Sequence, residues 1–443
     1  MFDKINTPKT LHGKYSHRLP NKNIRLSTEN VIVTLPKGES IETKGLLYLE
    51  LDRDANFLLK VKVPCAKEKA FGLIFNNLQL TIERDDTVTW IIKSKKYQNN
   101  SEKLLIAACP IQSRIRYPEA DNLSRVDFHL LNFSDYIGKK IHHSENSVAA
   151  GRLSLKTRKW TITIDSTPYT TRNLEFLKNS GGYGITHVGS LTRNNNELFS
   201  SKDVPEIIKD LLYFLSFAQG MWVNPILLSG KNQGNKEIWK GLSIHHTKPW
   251  KHPITWYDGL RANEILPTLF QNYSEKILDP IWNTVIQNTI YWYIQTNIPN
   301  VDSGVILGQT ALELLAWTYL VIDKKILSKS KFKANNTSTN LRLLLEECNI
   351  PLEIPTHVEQ LKSILSPGQD GVDLIVKTRN SLVHPEKSKI FTGAQYYQVL
   401  NLQKWYIELV LLRIMNYYGK YFNRLNEELW QGNVESVPWK IND

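Results

Sequence analysis

Cysteine is scarce, with three in 443 residues. Cys65, Cys109 and Cys348 lie far apart without CxxC spacing, which excludes a thiolate zinc knuckle and fits a reducing compartment. Long hydrophobic runs are also missing. The most apolar stretch, residues 211–228, is interrupted by Gln219, Gly220, Asn224 and Pro225 and is too broken to span a membrane. The polar, basic first 23 residues lack the apolar centre of a secretory signal. No GxSxG, HExxH, Walker or GxGxxG pattern occurs, nor a Gly-Ser with paired aspartates. The pairs His142-His143 and His245-His246 have no acidic or histidine partners at ligand spacing, and adjacent strand residues point to opposite faces. Neither a metal nor a cofactor is expected, and the chain reads as cytoplasmic.

Acidic residues are outnumbered, 43 against 55 Lys and Arg, giving a net charge of +12 and a pI near 9.3. That balance favours a polyanionic partner, nucleic acid ahead of an anionic membrane surface. The length suffices for two or three domains.

Up to about residue 200 the apolar residues alternate. Runs such as "NVIVTL", "GLLYLELD", "FLLKVKV" and "KWTITID" are separated by Asn, Asp, Gly and Pro clusters. This pattern predicts an antiparallel sandwich or barrel. "SGGYGITH" (180–187) lacks the Lys-Ser/Thr of a phosphate loop and reads as a plain loop. "TTRNLEFLK" (170–178) and the basic stretch 329–340 read as solvated loops, with RNA-backbone tracking as the other reading. From about 203 the period lengthens. A helix ending on Gly220 and a short strand pair precede predicted helices near 262–278, 281–297, 303–324, 338–348, 357–365, 370–384 and 394–426. Val305, Leu312, Leu315 and Tyr319 form one apolar stripe, and Leu402, Trp405, Leu409, Leu412 and Met415 another. Both stripes suit core-lining members of an antiparallel bundle. The fold class expected is α+β.

"KTRNSLVHPEK" (377–387) falls on the penultimate helix. Asn380 and His384 are four apart and share a face. Arg379 is offset from His384 by about 140°, within reach of a long side chain. Pro385 predicts a helix end at His384, where the helix dipole favours a protonated imidazole. The same three residues also suit an ordinary solvated helix terminus. A guanidinium, an amide and a proton-cycling histidine fit RNA phosphodiester cleavage without metal, in which the 2′-hydroxyl loses a proton, the 5′-oxygen gains one and the phosphorane needs cationic donors.

With "RNSLVH" on the penultimate helix and a long aromatic helix after it, the chain resembles the HEPN superfamily, specifically its ribonucleases. Their signature is Arg, a polar residue, three to five others and His. "GQTALELLAWTYL" resembles that family's first long helix, which makes Glu313 the matching acidic residue. Glu313 equally suits a helix-facing polar position or an arginine pair. The β-rich first half followed by "LLYFLSFAQG" is similar to the larger Apea-like HEPN proteins of bacterial anti-phage defence.

The resemblance implies a β-rich sensor or recognition domain (1–202), a connecting region (203–299) and a HEPN helical nuclease domain (300–443). It implies a metal-independent endoribonuclease acting as a toxin-like defence effector. Arg379 would stabilise phosphate charge, His384 transfer protons, and Asn380 orient His384 or bind a phosphate oxygen. The partners implied are an RNA substrate, a second copy of the chain and a phage-derived trigger or inhibitory protein. Two alternatives stay open: a non-catalytic HEPN module that binds RNA or nucleotide, and a protein-interaction scaffold. For the homodimer, the last helix is expected to have apolar surface to spare at Trp405, Tyr406, Ile407, Leu411, Tyr417 and Tyr418.

Overall fold

The computed structural model describes residues 7–35, 38–83, 85–115, 117–297, 300–355, 358–384, 391–426 and 428–440. Among these residues the molecule is α+β. Two antiparallel sheets are formed by the first 243 residues, and helices fill most of the remainder.

The first sheet contains β1 (Ile24–Thr34), β2 (Ser40–Glu50) and β3 (Asn56–Pro64). Helix α1 (Lys67–Phe75) follows, then β4 (Gln79–Ile82), β5 (Trp90–Gln98) and β6 (Lys103–Pro110). The spatial order is β4-β1-β2-β3-β6-β5, all antiparallel. Alternation builds it: Leu47, Leu49, Leu59, Val61 and Ile106 are buried, while Lys44, Lys60 and Lys62 between them are exposed.

The second sheet has the order β7-β14-β13-β8-β12-β11-β10-β9. Its strands are β7 (Arg114–Ile115), β8 (Arg125–Leu131), β9 (Lys139–Ser144), β10 (Ser147–Lys156), β11 (Trp160–Ser166), β12 (Ile185–Arg193), β13 (Asn224–Lys231) and β14 (Glu237–Ser243). Helix α2 (Thr170–Ser180) and helix α3 (Val204–Gln219) interrupt the series. This sheet is a middle layer. Leu131, Ile185, Ile226 and Leu242 join the core shared with the first sheet. Phe128, Leu153, Ile162 and Leu191 join the core shared with the helices. Because it is covered twice, β12 is buried at seven successive residues and loses its alternation. The sheet runs across residue 202 without a break, since β13 pairs with β8.

The helices are α4 (Ala262–Lys276), α5 (Pro280–Gln295), α6 (Val301–Trp317), α7 (Lys329–Ala334), α8 (Thr337–Glu347), α9 (Glu359–Lys362), α10 (Gly371–Val383) and α11 (Gly393–Ile414). A π turn over Thr318–Asp323 extends α6. Both expected apolar stripes are buried. Contrary to the expectation that 211–228 is the most apolar stretch, the combined segment Val301–Asp323 is long and apolar enough to cross a membrane, but 61% of its apolar window is buried inside the chain, as in a core helix. Helix α6 approaches α11 closely: a Cβ on Gly308 would stand 2.9 Å from Gln403 Oε1.

Four further sequence expectations are corrected. Residues 170–178 form α2 rather than a loop, and 329–334 form α7. The last helix stops at Ile414, not 426, because Asn416 turns left-handed (φ 50°) and the Tyr417 amide bonds back to Leu412 O. The apolar surface expected on that helix is also absent. Trp405, Tyr406, Ile407, Leu411 and Tyr417 are buried within the chain, and of the six only Tyr418, at 53%, is exposed.

Candidate functional site

Helix α10 is anchored at both ends before it presents any functional group. At its start Asp370 accepts from the Asp373 amide, and Asp373 accepts from the Asp370 amide, completing a capping box. Arg342 of α8 bonds Asp370 at 2.6 Å and also pairs with Asp373. These two carboxylates hold the Arg342 guanidinium well above its usual range. Gly371 lets this turn reach α11: a Cβ there would meet Tyr406 Oη at 2.5 Å.

The buried stripe of α10 carries Val372, Leu374, Ile375, Thr378 and Ser381. Thr378 Oγ1 donates to Leu374 O at 2.6 Å, and Ser381 Oγ lies 3.1 Å from Tyr396 Oη of α11. These contacts fix the rotation of the helix, so Arg379 and Asn380 fall at the edge of the buried face and are half-exposed.

Arg379 Nη1 donates to Asn380 Oδ1 at 3.3 Å. His384 caps the helix in an extended conformation (φ −104°, ψ 114°), and its amide bonds Asn380 O at 3.2 Å. Its side chain is exposed. The helix thus ends at the expected residue. Pro385, to which that ending was assigned, lies outside the described residues. The structure therefore joins Arg379 to Asn380 by side chains and Asn380 to His384 by backbone. Glu313 lies on α6, which packs against α10, but it is exposed and accepts from Gln309 Nε2 at 2.7 Å on its own helix.

The terminus offers a long-armed cation at the helix edge, an amide that steers it, and an imidazole open to solvent. A phosphate placed there would meet charge-assisted donors, and the imidazole could exchange protons with water or substrate.

Reasoning from the sequence missed a second polar cluster. Arg424 donates from Nε to Glu408 Oε2 at 3.0 Å and from Nη2 to Ile254 O at 2.6 Å, while Tyr293 Oη donates to Glu408. All three side chains are buried. Lys404, one turn before Glu408, is pushed down to about 7 by burial and the adjacent Arg424 charge. A lone glutamate inside the apolar run "YIELVLL" was the available signal.

Two family models match the chain: the YopA central domain over residues 118–253 and the YopA C-terminal domain over 279–436. The first covers the middle sheet except β7, and the second encloses the "RNSLVH" helix. The chain is 37% identical over 327 residues to the SPbeta prophage-derived uncharacterized protein YopA of Bacillus subtilis (strain 168), covering 72% of this chain and 73% of that one. No solved structure matches.

Proposed function

The chain belongs to the YopA family, and from that premise we propose that it is a metal-independent endoribonuclease of HEPN type. The observation that carries the reading is the end of α10, where half-exposed Arg379 and Asn380 are followed by an exposed His384 on a rigidly anchored helix. A relative described as prophage-derived supports a cytoplasmic role in conflict between phage and host, as a regulated toxin-like effector.

In the reaction, His384 takes the proton of the 2′-hydroxyl while the 2′-oxygen attacks phosphorus. The P–O5′ bond breaks, and the 5′-oxygen leaves with a proton from a second imidazole. The products are a 2′,3′-cyclic phosphate and a 5′-hydroxyl. Arg379 stabilises the equatorial charge of the phosphorane, and Asn380 holds Arg379 on the correct side of the helix. One protomer supplies one histidine of this motif, so the proposal includes a two-fold dimer in which the partner's His384 is the acid. With the apolar residues of α11 consumed inside the chain, that contact rests on the exposed end of α10 itself.

The test is cleavage of a fluorogenic RNA by wild type, Arg379→Ala and His384→Ala. Each variant should lose at least about 100-fold in rate, the loss associated with a general acid–base group or a charge-stabilising donor, and should retain the wild-type melting temperature. Activity should persist in EDTA and vanish on a substrate carrying 2′-deoxyribose at the scissile position. Full activity in both variants would refute the site. Activity that EDTA removes and Mg²⁺ restores would refute the mechanism.

A further inference from the structure

The first sheet lies ahead of both family-model matches, and one of its faces is left uncovered by the described residues. Every second residue of β2 and β3 turns into the shared core, which leaves Lys44, Lys60 and Lys62 on the opposite, exposed face. The register extends this band across the sheet. Lys62 pairs with Leu105 and Leu105 with Lys96, while Lys103 pairs with Pro64. By strand parity all five lysines share one face, drawn from β2, β3, β6 and β5.

Lys44, Lys60, Lys62 and Lys103 border a groove of about 750 Å³ lined also by Asn30, Glu42 and Glu83. Among the described residues none of the five lysines forms an ion pair. Glu83 is already engaged by Asn30 Nδ2 at 2.5 Å, and Lys44 Nζ donates to Asn30 Oδ1 at 2.6 Å. Tyr48, half-buried on the same face, has the Lys60 ammonium 5.0 Å from its ring centroid.

The band is not an edge guard. Lysines used to guard a sheet lie on edge strands, whereas β2, β3 and β6 are interior to this one. Strands about 4.8 Å apart set the cations side by side, and their long flexible arms can reach successive phosphates of one strand. An aromatic ring beside them gives a base a stacking surface.

We propose that this face of the first sheet binds single-stranded RNA, tracking its backbone with Lys44, Lys62, Lys96 and Lys103 and stacking a base on Tyr48. The choice of RNA over other polyanions rests on the ribonuclease reading, while the cationic groove stands independently of it. The face would then select or retain substrate, and the end of α10 would cut it.

The experiment uses the full chain and a 2′-O-methyl RNA oligonucleotide, which lacks the nucleophile and survives whether or not the protein is a nuclease. Binding is followed by fluorescence anisotropy at several salt concentrations. Lys44→Gln/Lys62→Gln/Lys103→Gln should weaken Kd by about 30-fold and flatten the log Kd–log salt slope by about 2, near 0.7 per lost phosphate contact on a single strand. The control Lys329→Gln/Lys331→Gln/Lys333→Gln on α7 should leave both unchanged. Equal binding by wild type and the sheet variant overturns the proposal, as does a loss confined to the α7 control. Failure of wild type to bind RNA while it binds a polyglutamate peptide would assign the face to an acidic protein instead. None of these readouts depends on cleavage, so a failed nuclease reading and a failed binding face give different results.

Discussion

The first sheet buries one face and leaves the other to solvent, whereas α11 is enclosed by its own chain on nearly every side. In the sheet, residues such as Val61 and Lys62 are neighbours with opposite fates. In α11, every residue from Leu402 to Leu412 is buried, whichever way it points around the helix. Polar groups consequently do different jobs in the two places. On the sheet they meet water or a partner, and removing one costs little. Within α11 the partners come from inside the protein: Gln403 Nε2 donates to Val305 O, and Glu408 is held by Tyr293 and Arg424, while Gln403 Oε1 is left without a partner among the described residues.

The sharpest way to break this comparison is to remove one member of the buried pair. Arg424→Leu leaves Glu408 charged and buried, and should destabilise the protein by about 3–5 kcal/mol. Lys62→Gln on the sheet should change stability by less than about 0.5 kcal/mol, as is usual for an exposed site. Urea unfolding of both variants measures the contrast. Equal effects would mean that α11 is less enclosed than its geometry states.

The middle sheet lies between these extremes and should respond to acid. His187 is fully buried, stacked on Tyr136 with ring centroids 5.1 Å apart, and neither of its ring nitrogens has a partner among the described residues. Burial pushes its pKa down to about 3, and that of buried His129 to about 4. Both folded values lie below the ordinary value of about 6.5, so the neutral forms are the ones the fold accommodates. Their contribution is complete above about pH 6.5 and is lost as pH falls from there towards the folded values. Each histidine then gives up about 1.4 kcal/mol for every step of one in pH across that window. Thermal melts taken from neutral pH down to about pH 4.5, inside the window, should show this decline. His187→Phe, which keeps the stacking and removes the titration, should make it shallower. An unchanged acid limb in that variant would place the loss elsewhere.

Much of this architecture is legible in the sequence where one face of an element meets water. The strands of the first sheet and the stripe of α6 are readable because their periods survive. Helix α11, buried all round from Leu402 to Leu412, is instead readable from its length and apolar content. Strands covered twice and helices hardly covered at all are not readable. The start of β12 passes for part of a glycine-rich loop because burial on both faces erases its alternation. Helix α2 buries Thr170, Asn173, Leu174 and Leu177 at helical spacing, but two of the four are polar, and α7 buries nothing, so neither shows a full apolar stripe. Helix α1, whose buried residues are Ala70 and Leu73, escapes for the same reason. At the candidate site, local chemistry places the helix end at His384 correctly. The clamp that holds the helix is illegible, because Arg342 is 28 residues from Asp370 and only tertiary packing brings them together.

That clamp supplies the smallest and most specific expectation. Asp370 caps α10 and pairs with Arg342, a partly exposed interaction discounted for solvent, so Asp370→Ala should cost only about 1–2 kcal/mol, mostly the lost cap. The same loosening occurs at the opposite end of the helix from His384, with 13 helical residues between them. If α10 acts as a rigid mount, Asp370→Ala should lower RNA cleavage several-fold through kcat while leaving KM near its wild-type value, because the groups that touch substrate remain. Asp370→Asn keeps a capping oxygen and should recover most of the stability. If it also recovers the rate, capping is what the site needs. If the rate stays low, the charge pair with Arg342 is what positions the helix. A cleavage rate indifferent to both substitutions would show that the end of α10 keeps its geometry without its anchor.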